Sequence, residues 1–199
     1  DIESVLADAT VSQTVKTKLR YARRARQFAS NELGLPANGS YTRYADLKRS
    51  HVLWNVFATD ELSLQLKRWC FPVAGCIGYR GYYGEQQARS FAAGLSAKGL
   101  DVQVGGVPAY STLGWFDDPI LNTFVYRDDS DLAALLIHEL SHHVLYIKGD
   151  TAFNESFATA VEIEGLHRWL ISINQEQLMH QHQQKMKEKN VFISTVSAS

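Results

Sequence analysis

The chain has 199 residues, a formal net charge of −1 and a hydrophobic content of 45%. This composition provides enough apolar side chains for a folded core and excludes a disordered chain. The balanced charge, without a basic stripe, argues against a nucleic-acid-binding surface, and no apolar run reaches the roughly 20 residues that cross a bilayer. We expect a single domain over residues 1–199, with residues 1–11 and about 175–199 as peripheral tails.

The first half of the chain predicts both helices and strands. Ser12 can cap a helix over residues 12–33, where apolar residues recur with a period of about 3.6. Apolar and alternating runs, bounded by turn residues and glycines, predict the elements that follow. These are a hairpin of two strands at 51–59 and 62–71, a twisted strand and turn at 75–84, a helix at 85–99 and a strand at 100–107.

Cys70 and Cys76 are the two cysteines of the chain, in the sequence WCFPVAGC. Their spacing does not suit a redox or zinc pair of the CxxC type. It allows either a small loop disulfide or two buried free thiols. The sequence leaves both alternatives open, and with them the redox compartment of the protein.

The second half predicts two consecutive helices, at residues 129–149 and 151–173, after an aromatic loop or edge strand at residues 108–120. The apolar residues around the middle of the first helix, including Val144 and Leu145, predict that this helix is buried.

The remaining segment, residues 174–199, is polar and rich in glutamine. We expect it to extend the preceding helix and then fray. Its two histidines, His180 and His182, are expected to lie in solvent.

The sequence HELSH places two histidines one helical turn apart. Four residues along a helix bring His138 and His142 onto one face, about 6 Å apart along the axis. Their ring nitrogens can then meet one Zn²⁺ at about 2.0–2.1 Å. Glu139 is rotated by about 100° from His138, where its carboxylate can take a proton from a zinc-bound water. The alternative is a core helix whose histidines are satisfied by ordinary hydrogen bonds.

A hydrolytic zinc site needs a third protein ligand and an open position for water. Glu155 is the candidate, since a short helix hairpin can fold it back over the two histidines although only 12 residues separate it from His142. Glu162 lies seven residues later on the same side and could orient a ligand histidine, as could Asp150. Ordinary surface charge is the alternative for both. His143 points about 100° away from His142, so we do not expect it to be a ligand.

HELSH followed by NESFATAVE resembles the HExxH…NExxA…E pattern of the gluzincin metallopeptidases. Longer segments, among them WCFPVAGC, YRGYYGE and GGVPAYSTLGWFDDP, resemble more closely the bacterial family called Putative aminopeptidase, over about residues 15–170. The resemblance implies a zinc peptidase on the periplasmic side of the bacterial envelope, often lipid-anchored. Motif matching implies that the zinc ligands are His138, His142 and Glu155. It also implies that Glu139 is the general base.

The chain departs from the larger gluzincins because it ends soon after the second helix. In those enzymes a later domain usually supplies a Tyr, His or Arg near the developing oxyanion, so here that group comes from upstream, comes from another chain, or is missing. From the upstream part we expect Tyr110 or Tyr126 to donate this hydrogen bond. Aromatic packing is the alternative for either tyrosine. The segment around Tyr110 is expected to pair with extended substrate. Asp117 and Asp118 are candidates for binding a substrate α-amine, with a turn as the alternative.

Together these features predict an α+β fold, in which a small, mainly antiparallel sheet packs on the HExxH helix and the next helix supplies Glu155. The expected function is hydrolysis of peptide bonds through a water activated by Zn²⁺, by an aminopeptidase or an endopeptidase. The substrate is a peptide or protein. A lipid anchor, removed with a segment preceding Asp1, could tether the protein to a membrane. The alternative is a catalytically inactive protein of the same fold that binds peptides or an envelope partner.

Overall fold

The computed structural model of the chain describes residues 1–71, 75–109 and 116–197. Within these ranges the helices are α1 (Ile2–Ala7), α2 (Gln13–Asn31), α3 (Glu85–Ser96), α4 (Asp129–Ser141), α5 (Thr151–Ser172) and α6 (Gln177–Ser197). The strands in the same ranges are β1 (Tyr44–Ala45), β2 (Leu53–Asp60), β3 (Trp69–Phe71), β4 (Gly75–Ile77), β5 (Arg80–Tyr82), β6 (Leu100–Val107) and β7 (Ile120–Leu121). The mixture of helices with small, mainly antiparallel sheets confirms the α+β class.

The chain divides into two compact units, and the smaller one is Asp46–Tyr110. Its centre is a three-stranded antiparallel sheet in the order β5-β2-β6. Side chains of β2 alternate between buried and partly exposed, as expected for a strand with one face on a core. Helix α3 turns Ala88, Ala92 and Leu95 toward this core, at the spacing of one helical face.

The predicted hairpin of residues 51–59 and 62–71 is only partly correct. Strand β2 forms as expected, but β3 is confined to Trp69–Phe71 and pairs with β4. Leu62 has a positive φ of 59° and is 98% exposed, so the apolar run that suggested a longer strand is not buried. In the β3–β4 pair Cys70 lies opposite Cys76, and the two form a disulfide.

The larger unit joins Asp1–Ala45 with Ser111–Ser199. Helices α2, α4 and α5 pack together in it, and α6 contacts both α4 and α5. Small side chains at the contacts, such as Ala25, Ala133 and Ala134, let the helices approach closely around Trp169. Strands β1 and β7 form a short parallel pair beside them. The predicted packing of a sheet on the HExxH helix stays a prediction, because the neighbours of α4 in this unit are helices.

Helix α4 ends earlier than predicted. It stops at Ser141 with His142 as its C-cap, instead of continuing to residue 149. Val144 and Leu145 are therefore exposed, at 53% and 39%, and the prediction that they belong to a buried helix is wrong. The reason is a competing interaction, since Asn154 binds the backbone of Ile147 through its side chain and holds the chain outside a helix.

Gly165 allows α5 to pack closely against α4 beside the candidate site. A Cβ at this position would lie 2.7 Å from Leu33 Cδ1 and 3.0 Å from Ile137 Cγ2. Ile137 is fully buried and directly precedes His138 in the chain. The absence of a side chain at residue 165 therefore helps to set where α4 lies relative to α5.

We predict that Gly165→Ala lowers the free energy of unfolding by about 1–2 kcal/mol, because overlap with the buried Ile137 outweighs the gain in helix propensity. The matched control is Gly94→Ala in α3, where an added Cβ meets no heavy atom within 4 Å. That substitution should raise stability by up to about 1 kcal/mol. Urea unfolding of both variants measures the difference, and equal stabilisation by the two would contradict the close approach at Gly165.

Candidate metal centre

Helix α4 brings His138 and His142 together at its C-terminal end. The two rings are 4.9 Å apart between centroids and nearly perpendicular, at 82°. The side chain of His142 is 5% exposed and that of His138 is 17% exposed. The i, i+4 spacing of a helix thus places both imidazoles on one face, as the sequence predicted.

The carboxylate of Glu155 lies against both histidines. Its Oε2 is 3.4 Å from His138 Nε2, and its Oε1 is 3.7 Å from His142 Nε2. The three residues each offer one ligand atom, and these atoms lie within 4.8 Å of one another. Donors bound tetrahedrally at about 2.0–2.1 Å are separated by about 3.3–3.4 Å. The group therefore has nearly the spacing that binding of a metal ion requires, and it could hold one.

Asn154 determines how the chain reaches Glu155. Its side-chain oxygen accepts a hydrogen bond from the Ile147 N–H, and its side-chain nitrogen donates to the Ile147 carbonyl, both at 2.8 Å. Asn154 is 2% exposed, so this pair of bonds is protected from water. Gly149 adopts a φ of 87° within the turn, which a residue with a Cβ rarely does. The turn is closed by Asp150, whose carboxylate accepts from the Phe153 N–H and caps α5.

Glu162 lies behind His138, on the side away from Glu155. Its Oε2 is 2.8 Å from His138 Nδ1. Burial alone would raise the pKa of Glu162, but its hydrogen bond with His138 and its interaction with the nearby His182 lower it to about 2. Glu162 is therefore an anionic acceptor, and His138 Nδ1 must carry the proton. When the ring is neutral, this leaves Nε2 of His138 without a proton and available to a metal ion.

The two histidines have different electrostatic surroundings. Burial alone would lower the pKa of His138, but the hydrogen bond and charge of Glu162 outweigh it and raise that pKa. Burial lowers the pKa of His142, and the nearby His138 adds to the effect. Nδ1 of His142 is buried and has no hydrogen-bond partner within the described part of the chain. His142 is thus readily neutral, the form that a metal ligand requires.

A cavity of about 390 Å³ lies beside the histidines, and Glu139 lines it together with His138 and Glu155. Its walls carry both signs of charge. The acidic members are Asp131, Glu139, Glu155 and Glu162, and the basic ones are Arg127 and Lys185. Glu139 thus shares a solvent-accessible space with His138 and Glu155, two of the three candidate metal ligands.

Other residues singled out from the sequence lie elsewhere. Tyr110 is outside the described residues. Tyr126 is 57% exposed and does not line the cavity. Asp150 caps a helix and is not in contact with either histidine in the described structure. Nδ1 of His143 lies 2.9 Å from the Asn38 side-chain nitrogen, so its ring faces a different part of the unit.

The Asp117–Asp118 segment packs against Gly39 and Ser40. The Asp117 carboxylate lies over Gly39, where an added Cβ would overlap it. Asp118 is 7% exposed, and its backbone N–H donates to Ser40 Oγ. Neither aspartate lines the cavity beside the histidines. Their predicted role in binding a substrate amine therefore stays a prediction.

His182 was missed by the sequence analysis, and the expectation that it lies in solvent is wrong. It is 6% exposed, because α6 folds back onto α4 and α5. His182 Nδ1 lies 3.2 Å from Asp131 Oδ1, and Nε2 lies 3.5 Å from Glu162 Oε1. The signal in the sequence was faint: Met179, His182 and Met186 recur at helical spacing within a polar, glutamine-rich segment. His180 is exposed, as predicted.

Comparison with protein families identifies the chain as a member of the family described as "Putative aminopeptidase", whose model matches residues 1–199. The chain therefore belongs to that family. Neither the search of curated proteins nor the search of solved structures found a match. Among the residues that the structure describes, no helix combines the length and the apolar character needed to span a membrane.

We predict that Glu162 makes the metal-free protein sensitive to acid. Its folded-state pKa of about 2 lies below the ordinary value of 4.5, so ionised Glu162 stabilises the fold above pH 4.5. This stabilisation, on the order of 3 kcal/mol, is lost as the pH falls from 4.5 toward 2. Glu162→Gln should remove that part of the pH dependence in denaturant unfolding.

The matched control is Glu164→Gln, since Glu164 lies on the same helix with its side chain 58% exposed. It should leave the pH dependence of the wild type unchanged. Parallel stability curves for the wild type and Glu162→Gln over this pH range would contradict the assigned pairing.

Proposed function

We propose that the protein is a zinc-dependent peptidase that hydrolyses peptide bonds through a metal-activated water. The observation that carries this proposal is the convergence of His138 Nε2, His142 Nε2 and the Glu155 carboxylate beside a cavity that Glu139 also lines. Membership of a family described as aminopeptidases supports the reaction class. The proposal extends to a gluzincin-like arrangement, in which the HExxH helix and the next helix supply the ligands.

Zinc is the metal that this donor set fits best. Two imidazole nitrogens and one carboxylate oxygen are the ligands of hydrolytic zinc sites, which keep a further position for water. His138 would bind through Nε2, because its Nδ1 is committed to Glu162. A bound Zn²⁺ would supply a water of lowered pKa and polarise the scissile carbonyl. Glu162 keeps the His138 ring in the orientation that binding needs.

Glu139 is the proposed general base. It follows His138 directly in α4 and is therefore turned about 100° from it, into the space beside the ligands. Its carboxylate would accept a proton from the attacking water and pass that proton to the leaving amine. We propose that Tyr110 donates a hydrogen bond to the oxyanion, because it lies in the aromatic segment that precedes α4 in the sequence.

The substrate is proposed to be a peptide or protein that is cleaved at its amino end. The family description supports an aminopeptidase. The proposed location is the periplasmic side of the bacterial envelope, with a lipid anchor as tether. The Cys70–Cys76 disulfide supports this location, because such bonds persist in oxidising compartments.

We predict that Glu139→Gln greatly slows hydrolysis and leaves metal binding intact. The amide keeps the size of the side chain but cannot accept the proton, so we expect kcat on a peptide substrate to fall by about 10²–10⁴-fold. Zinc content, measured by elemental analysis, should stay at the wild-type level. Peptide cleavage by the purified protein, followed by mass spectrometry, provides the assay.

Glu164→Gln is the matched control, because Glu164 is exposed and pairs with Arg168 on the far side of α5 from the cavity. It should retain full activity. Wild-type turnover by Glu139→Gln would remove Glu139 from the mechanism, and joint loss of zinc and activity would make it a structural residue.

A further inference from the structure

A series of alternating basic and acidic side chains begins at His138 and ends on α6. This helix is the third one in the unit that contacts the site. Glu162 uses both carboxylate oxygens: Oε2 meets His138 Nδ1 at 2.8 Å, and Oε1 faces His182 Nε2 at 3.5 Å. Asp131 likewise uses both oxygens. Its Oδ1 lies 3.2 Å from His182 Nδ1, and its Oδ2 lies 3.1 Å from Lys185 Nζ.

His182 occupies the centre of this series and is its most buried member. Its side chain is 7% exposed, against 13% for Glu162 and 28% for Asp131. Within the described part of the chain, no hydrogen bond satisfies its Nε2, and the Glu162 oxygen at 3.5 Å is a nearby acceptor. A buried imidazole nitrogen without a partner is costly, so the pair gains by drawing together.

The geometry makes the orientation of Glu162 depend on His182. A carboxylate anchored only at Oε2 can tilt about that contact through small changes in its side-chain torsions and still bind His138. A second partner on Oε1 restricts this tilting and fixes the plane of the carboxylate. The plane of the carboxylate in turn sets the tilt of the His138 ring, and so the direction of Nε2 toward Glu155.

We propose that His182 is a positioning residue of the metal centre, which holds Glu162 in the orientation that fixes His138. The proposal rests on the metal site of the proposed function. It assigns to α6 a role in that site that neither the motif nor the family description contains. His182 is not one of the three candidate ligands, and its polar contacts are with Glu162 and Asp131, so its effect is transmitted through Glu162.

A purely structural role for His182 would have a different consequence. Lys185 already ties α6 to α4, with Nζ 2.7 Å from Asp128 Oδ2 and 3.1 Å from Asp131 Oδ2. If His182 only helped α6 to dock, its removal would lower stability and would act on metal affinity independently of Glu162. If it positions Glu162, its effect on metal affinity must disappear once Glu162 is absent.

The test is a double-mutant cycle in the dissociation constant for Zn²⁺, measured by competition with a chelator at neutral pH. The variants are His182→Leu, Glu162→Ala and the double variant, and the control is His180→Leu at an exposed position of the same helix. We expect His182→Leu to weaken zinc binding about tenfold, the lower end of the range for partners of ligand histidines. The control should bind zinc like the wild type.

In the Glu162→Ala background, His182→Leu should cause no further weakening. His182→Gln serves where the leucine variant does not fold: its amide can still donate to Glu162, and it should bind zinc within about threefold of the wild type. Unchanged affinity in His182→Leu, or the same factor in both backgrounds, would overturn the positioning role while leaving the peptidase proposal in place. A wild-type protein that binds no zinc would overturn both.

Discussion

The candidate site depends on the two hydrogen bonds between the Asn154 side chain and the backbone of Ile147. Only 12 residues connect His142 to Glu155, and within them α4 must end, the chain must reverse, and α5 must begin. The buried Asn154 closes this connection from the inside. Because Glu155 is the next residue, the same contact fixes its backbone, although its side chain is 57% exposed. The exposed candidate ligand is thus positioned by a buried neighbour.

The remaining groups of the site are held by paired charges on three helices. Burial of an ionised side chain is costly unless a partner and hydrogen bonds compensate for the lost water. In the series His138, Glu162, His182 and Asp131, each basic group has an acidic neighbour as its partner, and the series ends at the half-exposed Lys185. The helix-packing contacts of small residues, described above for α2, α4 and α5, bring these charges within reach of one another. Packing and electrostatics therefore fix the same geometry.

The sequence predicted the parts of the site that a single helix determines. His138 and His142 converge because their spacing matches one helical turn. Glu155, on the next helix, was predicted by a separate argument, which is that a hydrolytic zinc site needs a third ligand. The features that the sequence did not predict depend on tertiary contacts. The apolar residues after His142 continue the spacing of a helix, which predicted a longer α4. The hydrogen bond to the Asn154 side chain that holds the chain outside a helix cannot be recognised from the spacing of apolar residues. The polar composition around His182 concealed the face that α6 buries.

The most direct test of this account is the zinc content per chain, measured by elemental analysis on the wild type and on Glu155→Ala side by side. His143→Ala is the control, because His143 is adjacent to the motif yet faces Asn38. The account predicts about one zinc per wild-type chain, the same content in His143→Ala, and marked loss in Glu155→Ala. A wild-type chain that takes up no zinc even when the metal is supplied would contradict it, as would a Glu155→Ala variant that retains the full amount.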